Sequence, residues 1–289
     1  MLITDLISAI DPVCFARESL GLEQDPWQEK VLRYAGKRLI MNCNRQAGKS
    51  RTAAIKAYHK SKYYPGSLTL LLSPSLRQSS ELFRKVTELT ILDRNPPDKL
   101  EDSKLFMTLQ NKSRVVSLPG KEGTVRGYSG ADLIIIDEAS KVPDELYMAI
   151  RPMLAVSGGT IILLSTPFGK RGFFFREWKE GGAIWERYLT TAPKGYLPGD
   201  ILGKLTSPVQ GVVLDECSRI PEQFIAEEMR SLPENWFLQE YYCEFVETED
   251  QAFRYEDIEA AFKHTAEVRP LFGRNPVSDT IKPLFGVEG

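Results

Sequence analysis

Histidine is nearly absent from this chain: His59 and His264 are the only two in 289 residues. Catalysis built on histidine, as metal ligand or general base, is therefore not expected. The four cysteines, at 14, 43, 217 and 243, include no CxxC pair. That argues against a zinc site and a disulfide framework, and fits a reducing compartment. There is no apolar run long enough to span a membrane and no signal-peptide pattern at the N-terminus. Net charge is also missing: 37 basic residues face 39 acidic ones, a balance of −2. No global basic field advertises nucleic acid, so any DNA contact has to be a local patch. Internal repeats and low-complexity tracts are lacking as well. The remaining composition, 42% hydrophobic and 26% charged, is that of a globular chain with material for one large or two modest domains.

What is present centres on Arg45-Gln46-Ala47-Gly48-Lys49-Ser50. A short apolar run, Leu39-Ile40-Met41-Asn42-Cys43, leads into it, and a helical run over 50–63 follows. Strand, tight turn, Gly-Lys-Ser, helix is the arrangement that binds nucleotide phosphates. Backbone N–H groups at the helix start face the anion, the lysine reaches the terminal phosphates and the serine hydroxyl ligates Mg²⁺. The usual pattern is G-x-x-x-x-G-K-[ST], and here Cys43 stands at the first glycine. A loop that merely starts a helix at Ser50 is the competing reading.

The second motif is Leu133-Ile134-Ile135-Ile136-Asp137-Glu138. Four consecutive aliphatic residues predict a strand buried on both faces, as in a parallel sheet. At its end Asp137 can serve the Mg²⁺ shell and Glu138 can polarise an attacking water. A core strand followed by an exposed acidic turn would look similar. The two motifs in this order, separated by further strands, point to nucleotide hydrolysis.

Along the chain, 1–24 reads as a short amphipathic lead-in. Asp25-Pro26-Trp27-Gln28 opens a helix over 29–34, with Asp25 as N-cap and Pro26 in the first turn. The Gln28 amide can pair with the N6 and N7 edge of adenine, and Trp27 can pack nearby. The alternative is a core Trp and a surface Gln. Further strands are expected over 68–73, 160–164 and 185–189, and a helix over 76–92 with Arg77 and Gln78 in its first turn. Alternation over 105–109 and 114–118 around Gln110-Asn111-Lys112-Ser113 predicts a hairpin. A Gly-rich loop, 120–130, holds Arg126 between Gly123 and Gly127. This pattern is α/β, a P-loop NTPase core of the RecA/ASCE-like kind: a mainly parallel central sheet flanked by helices, plus a small helical C-terminal subdomain. The expected division is a core over 1–192, a surface excursion over 193–216, a helical linker subdomain over 217–265 and a linker over 266–289. Helices are expected over 221–231, 234–242 and, more weakly, 255–263.

Pro26-Trp27-Gln28, the loop from Arg45 to Ser50, Ile135-Ile136-Asp137-Glu138 and Ser165-Thr166-Pro167 occur in one order. Together they resemble the large terminase subunit of tailed bacteriophages over roughly 20–250. The basic residue inside the phosphate loop, Arg45, is a habit of that family. The resemblance implies an ATPase core akin to superfamily-2 helicases, driving double-stranded DNA into a capsid as a homo-oligomeric ring on the portal protein. It also implies a small terminase subunit as partner and a place in the cytoplasm of the bacterial host. By the same resemblance Trp27, Gln28 and 45–51, including Arg51, bind ATP. Ser50 and Asp137 hold Mg²⁺. Lys49, Glu138 and Arg45 are expected to be catalytic; Arg126, in a flexible loop before the Asp-Glu strand that could reach across a subunit interface, is read as an arginine finger, the alternative being a contact to a backbone carbonyl or a DNA phosphate. Ser165, Thr166 and Pro167 form the coupling motif, where small hydroxyls at a strand end can sense the terminal phosphate.

The family normally carries a C-terminal nuclease domain. The chain is too short for it, so no cutting activity is expected, and Leu284-Phe285-Gly286-Val287 could open its first strand. A helicase or DNA remodeller is the alternative, but a second RecA-like lobe does not fit in 250–289. A nucleotide-binding switch without turnover is a third possibility, opposed by the intact Lys49, Ser50, Asp137 and Glu138.

Overall fold

Unbroken aliphatic runs make the centre of the molecule. The computed structural model describes residues 3–120, 125, 127–206 and 208–247. Within these residues β1 (Arg38–Cys43), β2 (Leu68–Ser73), β6 (Leu133–Asp137) and β7 (Thr160–Ser165) lie side by side. They pair in parallel, with Ile135 opposite Leu71 on one side and Ile162 on the other. The remaining strands are β3 (Lys99–Asp102), β4 (Phe106–Leu109), β5 (Arg114–Pro119), β8 (Glu186–Thr191) and β9 (Val212–Glu216). The nine form one sheet in the order β3-β4-β5-β2-β6-β7-β1-β8-β9. Only β3–β4 and β4–β5 are antiparallel. The latter is the expected hairpin, with Lys112 taking φ 67° in its turn.

Successive residues of each central strand bury on opposite faces, so two apolar layers form. Leu39, Met41, Ile135 and Ile162 pack under α3 (Pro26–Arg33), α4 (Lys49–Tyr63) and α5 (Leu76–Leu92), through Val31, Ile55, Tyr58 and Phe83. Ile40, Ile134, Ile136 and Leu163 pack under α6 (Asp144–Ile150) and α7 (Gly172–Glu180), through Tyr147, Phe173 and Trp178. The α/β class with a mainly parallel sheet is as the sequence predicts. The N-terminal segment is more than a lead-in. α1 (Ile3–Ile10) and α2 (Pro12–Cys14) run into a wide helical turn, Phe15–Ser19, that sinks Val13, Phe15 and Ala16 into the first layer.

The surface excursion expected over 193–216 needs correction. It contains α8 (Gly199–Leu202) and ends in β9, which extends the sheet in parallel to β8, Leu189 opposite Leu214. An edge strand has one neighbour and half-exposed side chains, so it lacks the aliphatic signature of a central strand. α9 (Glu222–Ser231) and α10 (Glu234–Tyr242) follow and share a third apolar cluster through Ile225, Phe237 and Tyr241. Residues 1–248 nonetheless form one compact unit. The helix expected over 255–263 and the linker over 266–289 lie outside the described residues.

Candidate functional site

The C-terminal ends of β1, β6 and β7 open into one cleft of about 330 Å³. Its first wall is the loop between β1 and α4. The Asn44 N–H donates to the Thr190 carbonyl at 2.8 Å and the Arg45 N–H to the Glu240 carbonyl at 2.9 Å. Gln46 at φ 66° and Gly48 at φ 90° both take left-handed backbone. Gly48 has a second constraint: a Cβ there would stand 2.9 Å from Gln28 Nε2. α4 begins at once with Lys49, so its first N–H groups lack intrahelical partners and make an anion-ready helix start.

The floor is the end of β6. Asp137 is buried, and the Ser50 hydroxyl donates to its Oδ2 at 2.8 Å. Burial pushes the Asp137 carboxyl above its usual range, against the pull of Lys49 and Ser50. Glu138 turns off the strand at φ 52°, ψ 41°, a left-handed conformation that costs a non-glycine residue about 1 kcal/mol. The turn leaves Asp137 on the strand and aims Glu138 across the cleft. There Lys49 Nζ lies 3.6 Å from one carboxylate oxygen and Lys141 Nζ 3.5 Å from the other. Next to it, at the end of β7, the Ser165 hydroxyl meets the Ser140 hydroxyl at 2.7 Å and accepts from the Ser140 N–H at 3.3 Å. The turn carrying Glu138 is thereby tied to β7. Thr166 lines the cleft itself, and Pro167 is buried behind it.

Lys49, Ser50, Asp137, Glu138 and Thr166 are thus brought together from motifs up to 117 residues apart (49 to 166). Arg45 stands at the rim, exposed, 3.7 Å from Glu240. Ala47 is buried under the loop, while Gln46 and Arg51 are exposed, and Arg51 is absent from the cleft lining. Trp27 needs correction. It has no exposed surface and packs in the core with Val31 and Leu32, because it sits on the inner face of α3, so it cannot touch a ligand. Gln28 is 3% exposed and already engaged. Its carbonyl accepts from the Asp25 N–H at 2.9 Å, closing a capping box, and from Arg219 Nη2 at 3.2 Å. Its amide donates to the Ala47 carbonyl at 3.4 Å. Arg126 lies outside the described residues.

Several cleft residues carried no motif. Arg77 and Lys85 from α5 face the phosphate loop, and Lys141 and Glu240 complete the rim. Arg219 reaches the back of the loop, held by Asp25 Oδ2 at 2.6 Å. The position of Arg77 just after a strand end was the one available cue. Arg219 and Glu240 are separated from the loop by some 170 to 190 residues and have no local signal.

Residues 40–260 match the family described as "Terminase large subunit, T4likevirus-type, N-terminal". The chain belongs to this family. The large terminase subunit of Thermus virus P23-45 is 29% identical over 186 residues, which cover 57% of this chain and 38% of the relative. The chain therefore spans well under half the length of the curated relatives it matches. The large terminase ATPase domain of Thermus phage P74-26 has the same fold, with a TM-score of 0.60 at 21% identity, covering 82% of this chain and 99% of that one. The bacteriophage HK97 large terminase aligns with a TM-score of 0.60 at 15% identity, over 83% of this chain and 55% of that one. A large terminase from a thermophilic bacteriophage, solved with ADP, aligns at 0.54 and 12% identity, over 77% and 54%. As a terminase relative, the chain has the P-loop α/β fold of those ATPase domains. No helix among the described residues is long and apolar enough to cross a membrane.

Proposed function

We propose that the chain hydrolyses ATP and, within a complete large terminase, couples that hydrolysis to moving double-stranded DNA into a capsid. The observation that carries the reading is the convergence of Lys49, Asp137, Glu138 and Thr166 in one cleft at the C-terminal edge of the sheet, with Ser50 joined to it through Asp137. Lys49 and the start of α4 bind the β- and γ-phosphates. Arg45, on the same loop, adds positive charge in cis as charge develops on the transferring group. Glu138, held off the strand by its left-handed backbone, orients the attacking water and takes its proton. The bond between the γ-phosphorus and the bridging oxygen breaks as the water oxygen attaches, leaving ADP and phosphate.

Mg²⁺ fits the donor set. The Ser50 hydroxyl and the Asp137 carboxylate, in hydrogen-bond contact at 2.8 Å, are hard oxygen donors that would hold it. When bound, the ion would neutralise charge on the β- and γ-oxygens.

The Ser140–Ser165 bridge lets β7 feel a movement of the Glu138 turn, which is how loss of the terminal phosphate would reach the rest of the motor. Family membership supports the portal protein and a small terminase subunit as partners, a ring as the active assembly, and the bacterial host cytoplasm as the setting. A ring whose finger, Arg126, acts across the subunit interface would show hydrolysis rising with chain concentration. The test is Mg²⁺-dependent ATP turnover across a concentration series, with and without double-stranded DNA. Turnover that DNA stimulates is expected, and a chain that binds no ATP in equilibrium titration overturns the reading.

A further inference from the structure

The cleft wall opposite the phosphate loop is α5. Arg77, Glu81 and Lys85 are spaced four apart, so they share one face of that helix, and all three line the cleft. Most charges of the cleft already have partners. Arg45 pairs with Glu240 at 3.7 Å, and Glu138 sits between Lys49 and Lys141 at 3.6 and 3.5 Å. Glu81 is turned to Arg84, 2.8 Å away on its own helix. Arg77 and Lys85 act on Glu81 only through space. Neither makes a hydrogen bond or an ion pair among the described residues.

Lys85 is also half-buried, where Arg77 is exposed. A cation partly withdrawn from water, with Glu81 acting on it only through space and no direct ion pair among the described residues, gains from an anion that reaches it. Its field already reaches Asp137 on the cleft floor. The geometry of the cleft selects the anion. A phosphate held by Lys49 and the start of α4 presents its outer oxygens to α5 across the cleft, above the carboxylates of Asp137 and Glu138.

We propose that Lys85, assisted by Arg77, is the second wall of the terminal-phosphate site. It binds outer oxygens of the γ-phosphate of a nucleoside triphosphate and holds the phosphate once its bond to the diphosphate has broken. The assignment rests on the ATPase reading above and goes beyond it, since none of the sequence motifs includes α5. It makes α5 the element that distinguishes triphosphate from diphosphate. Lys49, which contacts both phosphates, cannot do so as sharply.

The test is equilibrium titration of the full chain with ADP and with ATP-γ-S, in the presence of Mg²⁺, for wild type, Lys85→Met and Lys85→Arg. Loss of a charge-assisted contact to one phosphate should weaken ATP-γ-S about ten-fold or more in Lys85→Met, while ADP affinity changes less than about two-fold. Retained ADP binding doubles as the evidence that the variant is folded. Lys85→Arg should restore most of the ATP-γ-S affinity, because the charge and reach are kept. Equal weakening of both nucleotides, or no change in either, overturns the assignment while leaving the ATPase reading standing. A wild-type chain that binds neither nucleotide overturns both.

Discussion

α4 carries one buried lysine, Lys49, and one half-buried, Lys56, and they have opposite surroundings. Lys49, at its start, faces a carboxylate 3.6 Å away and makes no contact of hydrogen-bond length. Lys56, two turns on, donates to the carbonyls of Val31, Leu32 and Tyr34 at 3.2, 2.9 and 2.6 Å. They lie at the C-terminal end of α3, where the Val31 carbonyl also accepts from the Tyr34 N–H at 3.2 Å and those of Leu32 and Tyr34 have no backbone donor among the described residues. The neighbouring His59 is sealed in the same way by the Ser8 carbonyl at 2.9 Å. The end of the sheet proposed to bind nucleotide leaves Lys49 without a hydrogen bond among the described residues, and Lys56 is saturated with neutral acceptors. Saturation, more than burial or residue type, separates a functional charge from a structural one in this fold.

The largest effect that would break this comparison concerns Glu138, the partner of Lys49. Glu138→Gln should retain nucleotide binding and lose hydrolysis by about two to three orders of magnitude, measured as single-turnover rate against equilibrium affinity. Wild-type turnover in that variant would make Glu138 a structural carboxylate.

The two lysines themselves can then be exchanged for neutral side chains. Lys49→Ala should abolish measurable ATP affinity and leave the melting temperature in place. Lys56→Met should do the reverse. It orphans the Leu32 and Tyr34 carbonyls at a cost of about 2 kcal/mol, a fall of roughly 4–8 °C in Tm, with ATP affinity unchanged. A common phenotype for both would mean that saturation tells nothing about role.

His59 sharpens the structural side. Burial pushes it down to about 4. Between that value and the ordinary 6.5 of the unfolded chain, the unfolded state binds the extra proton. Stability is therefore full above about pH 6.5 and declines as pH falls, by about 2 kcal/mol at pH 5. Urea midpoints from pH 7 to 5 should show that slope in wild type and a flatter one in His59→Gln, which keeps a donor for Ser8. Parallel slopes would place the pH sensitivity elsewhere.

The smallest effect lies behind the phosphate loop. Arg219 occupies an acceptor position of Gln28 that an adenine amino group would need. If Gln28 reads the base, Arg219→Ala should tighten ATP relative to GTP a few-fold, about 0.5–1 kcal/mol. Gln28→Ala should remove any preference. An unchanged ATP-to-GTP ratio in both variants would leave Gln28 as a brace between the capping box and the loop.

How legible the site was depended on distance along the chain. Gly48-Lys49-Ser50 and Asp137-Glu138 could be read because each packs its chemistry into a strand end and the next few residues. The strands β1, β2, β6 and β7 could be read because burial on both faces forces unbroken aliphatic runs. β3, with every residue exposed, and the half-exposed β9 follow no such rule, and nothing in their sequence predicts a strand. Trp27 shows the limit within a helix. Its neighbour Gln28 lies beside the loop, yet a turn of roughly 100° per residue puts Trp27 wholly in the core.

The sequence by itself determined the parallel α/β sheet and the phosphate loop at its C-terminal edge. These are local: periodicity, buried runs and a glycine that only a left-handed turn requires. Tertiary structure alone decided which other groups close the cleft. Lys85 and Arg77 enter because strand order sets β2 beside β6, which brings α5 over Asp137. Arg219 and Glu240 enter because β9 and α10 fold back against the β1 loop, the Arg45 N–H meeting the Glu240 carbonyl at 2.9 Å. Contacts of that kind depend on where the chain returns in space, and nothing in the residues flanking Arg219 or Glu240 encodes the return.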